Sequence, residues 1–310
     1  MKGRATREGF GDEILELGKL HEDIYVVDCD ISKSVKTMEF SKQIPERHVN
    51  VGIAEQNGAG VAAGLATMGK VPFISTYAVF GSMRMLEQIR TSVCYPRLNV
   101  KIACSHGGLT PANDGATHQG IEDMGIYRTI PNMTIIMPAD YNSTRKLVRK
   151  AYEFNGPVYL RFTRDAVPMF YDENEEFEIG KGKVLRQGRD ICIIAIGDML
   201  HPALEAADKL EKKGVSVEII DMFTLKPLDI ELVVKSLNKI GKIITVEDHN
   251  FYNGLGSAVA EVIAENGNGI LRRVGIKDHF GESAPYDELL KKYNMDSNYI
   301  VKMAEELVEK

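Results

Sequence analysis

Three groups of residues in this sequence have types and spacings suited to chemistry. The first centres on Glu55, in the stretch 48–69, HVNVGIAEQNGAGVAAGLATMG. Val49, Val51 and Ile53 alternate as a half-buried strand would, and from Ala54 onward small apolar residues take over. The segment therefore reads as a strand running into a helix, with Glu55 in its first turn. A carboxylate there is favoured by the positive end of the helix dipole, and the glycines and alanines behind it let a backbone or a flat ligand come close. The same glutamate could serve only as a helix cap. The second group lies in 105–120, SHGGLTPANDGATHQG, a loop too long and glycine-rich to be a simple connection. Its His106, Asp114 and His118 could hold a metal, although their spacing within one loop is not a common ligand pattern. They could instead grip several hydroxyls of a sugar-like substrate, or the loop could pin itself through an Asx turn at 113–115. The third group is aromatic: Phe73, Tyr77 and Phe80 straddle a strand–helix boundary, where rings form a stacking slot for a planar heterocycle or simply fill core. Arg7, Arg161 and Arg164 each offer a planar fork of donors for a phosphate, or a solvated face.

The elements that must position these residues alternate between strand and helix. A helical pattern over 6–20 leads to strand IYVVDCD (24–30). After the helix behind Glu55 come VPFIS from Val71, a helix around 82–92, strand NVKIACS from Asn99, the glycine-rich loop, strand MTIIMPA, a helix over 142–153 and strand GPVYLRF. This order predicts an α/β fold with a mostly parallel, doubly wound sheet. Such sheets bind ligands beyond the C-terminal ends of their strands, where Asp30, Glu55, Ser105 and Arg161 to Arg164 are expected to gather. The acidic stretch YDENEEFEIGKG reads as a linker. A second α/β unit follows, with strands DICIIAIG, VSVEIID and KIITVED. Its Asp198, His201, Glu247, Asp248 and His249 fall at strand ends without an evident nucleophile and base, which suits a packing or interface domain. The expected division is 1–170, linker 171–182 and 183–310.

The chain has 310 residues, an apolar fraction of 44% and a net charge of −6, enough for two cores and without an electrostatic reason to bind nucleic acid or an anionic membrane. Its four cysteines are widely spaced and read as buried free thiols. The N-terminus lacks an apolar signal core, and no apolar run is long enough to span a bilayer, so a cytoplasmic location is expected.

Taken together, GIAEQNGAGVAAGLA, the aromatic strand after it, DGATHQG and YLRFTR resemble the pyrimidine-binding domain of transketolase. IIAIGDMLHPALEAADKLEKKGVSVEIIDMFTLKPLD resembles that family's C-terminal domain. The resemblance covers essentially the whole chain and implies two doubly wound domains and thiamine diphosphate chemistry. By resemblance, Glu55 hydrogen-bonds the aminopyrimidine ring and promotes its imino form, and Tyr77, Phe80 and Phe73 belong to the pyrimidine pocket. Asp114 and His118 match residues that hold the hydroxyls of the donor ketose, and Arg7, Ser34, His106 and Arg164 those that hold its phosphate.

A full transketolase carries, ahead of this region, a domain whose Gly-Asp-Gly and paired asparagines hold a divalent metal, Mg2+ or Ca2+, and the diphosphate. No such motif is found here, so no metal ligands are expected in this chain. The resemblance thus implies the C-terminal subunit of a split transketolase, inactive alone and paired with an N-terminal subunit in a heterotetramer that acts on sugar phosphates. Three alternatives stay open: the β subunit of a 2-oxoacid dehydrogenase E1 component, a 1-deoxyxylulose-5-phosphate synthase-like enzyme, and a non-catalytic assembly or regulatory subunit.

Overall fold

The computed structural model describes residues 3–309. The helix Thr6–Leu20 forms where expected because Phe10, Ile14 and Leu17 recur on one face and bury it. It packs on the helix Tyr141–Glu153, which buries Leu147, Val148 and Ala151 and is capped by Asp140, whose carboxylate accepts from the Ser143 amide at 2.7 Å.

Both domains are α/β. Six strands of the first are β1 (Ile24–Asp28), β2 (His48–Asn50), β3 (Val71–Tyr77), β4 (Lys101–Ser105), β5 (Thr134–Ile136) and β6 (Val158–Arg161). They are parallel and run across the sheet in the order β5-β6-β4-β3-β1-β2. The second domain contributes β7 (Lys183–Arg186), β8 (Ile191–Ala195), β9 (Val217–Asp221), β10 (Thr224–Lys226), β11 (Lys242–Asn250) and β12 (Ile270–Ile276). Its five-stranded sheet, β12-β11-β8-β9-β7, is parallel except for β7. The central parallel strands are almost wholly buried and mostly apolar, as a sheet covered on both faces requires, while the edge strands β2 and β12 are partly exposed.

The two units are not independent. Strand β10, from the second, pairs antiparallel with β5 and closes the edge of the first sheet. The acidic segment between the domains is also tied down: Tyr171 and Phe177 are buried, with Tyr171 donating to Asp221 at 2.6 Å and Phe177 packing edge-on against Phe223 at 5.1 Å. The helix expected around 82–92 is instead broken into Ala78–Met83, Leu86–Gln88 and a wide turn over Ile89–Cys94. All four cysteines are buried and free. Among the described residues no helix is long and apolar enough to cross a membrane.

Candidate active site

Sheet register places the candidate residues along one crest. Tyr77 at the end of β3 lies opposite Ser105 at the end of β4, and Cys104 lies opposite Arg161 on β6. The chain leaving β4 begins with His106, whose ring stacks on Tyr77 at 3.9 Å between centroids. Tyr77 in turn stacks with Phe80 at 5.8 Å, and His118 meets Phe80 edge-on at 5.5 Å. Two histidines of the glycine-rich loop and two aromatic residues of the preceding strand–helix turn thus form one ring cluster.

His106 is buried, adopts a left-handed backbone conformation with φ +62°, and shares a 2.7 Å hydrogen bond between Nδ1 and Ser105 Oγ. Burial, followed by the charges of Arg7 and Arg164, lowers its pKa to about 3. The imidazole is therefore neutral at physiological pH and acts as a hydrogen-bonding group rather than a cation. Because the folded value lies below the unfolded one near 6.5, this group's contribution to stability is intact above that pH and is lost as pH falls toward 3. In an NMR titration from pH 8 to 5, the ring resonances of His106 are expected to stay flat. A transition near pH 6.5 would contradict the buried, cation-flanked site.

Glu55 opens the helix Glu55–Thr67 and is 5% exposed. The capping role does not hold: that helix has no side-chain cap, and Glu55 Oε1 accepts instead from Arg84 Nη1 at 2.9 Å. The Arg84 guanidinium also lies 3.9 Å over the Phe80 ring, so it bridges the carboxylate and the aromatic cluster. Arg84 was not singled out in the sequence. The usable signal was its place four residues after Phe80, a spacing that meets on a helix face. Ile53, Glu55, Met83 and Arg84 line an open groove here.

Within the field of His106, Arg7 Nη1 donates to the Ser34 carbonyl at 3.0 Å, and Arg164 Nη1 to the Pro111 carbonyl at 2.8 Å. Burial and then the charge of Arg164 lower the pKa of Arg7, whose Nε is buried without a partner. Two neighbouring guanidiniums that repel one another and keep an unused donor suit an oxyanion. Asp114 is exposed on the same loop. No Asx turn pins it; the backbone makes a short turn over Ala112–Asp114 instead.

Two expected residues lie elsewhere. Phe73 is fully buried and its ring faces Phe10 at 6.3 Å, so it belongs to the core rather than to the pocket. Arg161 does not reach a phosphate site: it is fully buried, donating from Nε to Asp123 at 2.8 Å.

Residues 2–169 match the family model described as "Transketolase, pyrimidine binding domain", and residues 180–300 match "Transketolase, C-terminal domain". The chain belongs to the transketolase family. It is 48% identical, over 99% of its length and 97% of the relative's, to a Methanocaldococcus jannaschii protein provisionally named a transketolase C-terminal section. It is 40% identical, over 98% of its length and 94% of the relative's, to a 6-deoxy-6-sulfo-D-fructose transketolase subunit of a Clostridium species. A solved structure described as a split gene transketolase, an inactive beta4 tetramer, superposes with a TM-score of 0.91 at 46% identity, covering 99% of both chains.

Transketolase membership implies thiamine diphosphate dependence. The residues present fit the pyrimidine half of that cofactor, with a buried carboxylate beside a stacked aromatic pair. Among the described residues no group of three or more His, Cys, Asp or Glu gathers as a metal site.

Proposed function

We propose that this chain is the C-terminal subunit of a split transketolase that moves a two-carbon ketol unit from a ketose phosphate to an aldose phosphate, as in the pentose phosphate pathway. The observation that carries this reading is one chain of contacts: Arg84 joins Glu55 to Phe80, Phe80 stacks with Tyr77, and Tyr77 stacks on His106, which lies within the field of Arg7 and Arg164. Bound thiamine diphosphate supplies a nucleophilic carbon and an electron sink for cleaving the bond beside the ketose carbonyl. Glu55 holds and returns a proton at a pyrimidine ring nitrogen, in a groove where burial keeps that hydrogen bond strong. Tyr77 and Phe80 orient the ring by stacking. Asp114 and His118 bind the donor hydroxyls, while Arg7, Ser34, neutral His106 and Arg164 hold the terminal oxyanion.

The diphosphate and its Mg2+ or Ca2+ would be held by a separate N-terminal subunit, two of each chain forming a cytoplasmic heterotetramer. The relative described as an inactive beta4 tetramer supports partner dependence, since its chain spans the same piece. The named sulfo-sugar relative supports a ketose with an anionic end as the donor class, because a sulfonate and a phosphate offer the same arginine-binding oxygens.

The test is ketol transfer from xylulose 5-phosphate to ribose 5-phosphate, with thiamine diphosphate and magnesium, by this chain with and without an N-terminal partner. Activity confined to the mixture is expected. Turnover by the chain alone would overturn partner dependence, and silence in a formed complex that uses pyruvate would move the function to the synthase or dehydrogenase class. In the active mixture Arg164→Ala is expected to raise KM for phosphorylated donors by about tenfold or more, the loss of one charge-assisted hydrogen bond. An unchanged KM would remove Arg164 from the oxyanion site.

A further inference from the structure

The loop that carries His106, Asp114 and His118 is suspended between the two domains. From the first domain, Gly108 donates to the Gly120 carbonyl at 2.8 Å and closes the loop's mouth. From the second, Asp248 near the end of β11 reaches in, and its Oδ2 accepts from the Leu109 amide at 2.8 Å. The approach is so close that a Cβ on Gly108, which has φ +61°, would lie 2.2 Å from that oxygen. One guanidinium joins the two sides: Arg161 Nη2 donates to both the Gly120 and the Asp248 carbonyls at 2.9 Å. Asp248 is itself held by Tyr286, whose hydroxyl donates to Asp198 Oδ2 and lies 3.3 Å from Asp248 Oδ2.

We propose that Asp248, a residue of the second domain, is a positioning residue for the loop that presents His106, Asp114 and His118 to substrate, with Tyr286 and Asp198 fixing its carboxyl group. The role assigned to the loop rests on the function proposed above; the anchoring does not.

The chemistry of the cluster argues for a tuned anchor rather than plain domain packing. Asp198 and Asp248 are buried together, Oδ1 of each is without a partner, and a single phenolic proton lies between their Oδ2 atoms. Burial, and then the charge of Asp198, push the pKa of Asp248 up to about 8, with Arg161, the Leu109 amide and Tyr286 opposing. The buried pair thus retains a proton more readily than a solvated aspartate would, while Asp248 Oδ2 serves as the acceptor of the Leu109 amide. Asparagine reproduces that acceptor without the proton. Alanine leaves the buried Leu109 amide with nothing to donate to.

The test compares Asp248→Asn and Asp248→Ala in the full chain. By hydrogen exchange, amides over 107–120 are expected to exchange about tenfold faster in the alanine variant and within about twofold of wild type in the asparagine variant, with Val71–Tyr77 unchanged in both. In the assembled enzyme, alanine is expected to raise donor KM about tenfold while kcat and thiamine diphosphate affinity stay within about twofold, and asparagine to restore KM. Unchanged loop exchange in the alanine variant, or an asparagine variant as impaired as alanine, overturns the proposal. If the alanine variant does not fold, Tyr286→Phe is read in the same exchange experiment: faster loop exchange supports the anchor and an unchanged loop overturns it. If the wild-type complex shows no ketol transfer, the function fails while the exchange comparison still decides the role of Asp248.

Discussion

Alanine at Glu55 is expected to lower kcat of the assembled enzyme by roughly 10²- to 10⁴-fold, the range contributed by a positioned general acid–base group. That corresponds to about 2.7–5.5 kcal/mol on the barrier. The effect on folding should be far smaller. The partner lost is Arg84, which is about half exposed and regains water when the pair is broken, so the ion pair contributes at most about 1 kcal/mol. Favourable interaction with the helix dipole adds a few tenths to about 1 kcal/mol. A rate loss well beyond the stability loss therefore separates a catalytic carboxylate from a structural one. Steady-state rates of the reconstituted complex and urea unfolding of the chain measure these two losses, and calorimetric titration shows whether thiamine diphosphate is still bound. A rate loss no greater than the loss of folded protein would reduce Glu55 to a helix-terminal charge.

Much of this arrangement was legible in the sequence because it is local. The helix Thr6–Leu20 follows from the spacing of Phe10, Ile14 and Leu17, and Glu55 falls in a first helical turn as expected, although the strand before it stops at Asn50 and Ile53 is exposed rather than half-buried, because the chain turns at Gly52 with φ +75°. Tyr77, Phe80, His106 and His118 converge because neighbouring parallel strands bring their C-terminal ends together. What escaped depends on pairings distant in sequence. Phe73 shares a strand face with Tyr77, but four residues at about 3.3 Å each place it about 13 Å away, under Phe10. Arg161 stands at a strand end, where an arginine suits a phosphate, yet its partner Asp123 arrives from a helix 38 residues earlier. Strand β10 adds to a sheet whose other strands all precede residue 162, and Asp248 meets Leu109 across 139 residues. Contacts of that kind leave no periodic trace in either segment.

Arg161→Ala is expected to be the most destabilising single change in this network, costing about 3–5 kcal/mol, because it removes one partner of a buried ion pair and leaves the other charged and dry. Arg161 and Asp123 are both fully buried. Beside its 2.8 Å bond to Asp123, the guanidinium satisfies the carbonyls of Gly120 and Asp248 and packs so tightly that a Cβ on Gly107 would lie 2.5 Å from its Nε. Asp123 would keep the Tyr159 hydroxyl at 2.5 Å, but its Oδ1 already lacks a partner. The size of the penalty comes from the stranded carboxylate rather than from the net worth of the pair. Arg161→Ala combined with Asp123→Ala should therefore be more stable than Arg161→Ala alone, a coupling of at least 1 kcal/mol in a double-mutant cycle. Lysine at 161 keeps the charge but not the fork that reaches two carbonyls and a carboxylate at once, so it should recover only part of the loss. Urea unfolding of the four variants decides the matter. Additive losses, or a cost below about 1 kcal/mol for Arg161→Ala, would mean that the pair is solvated and that the two domains are held chiefly by their apolar contacts.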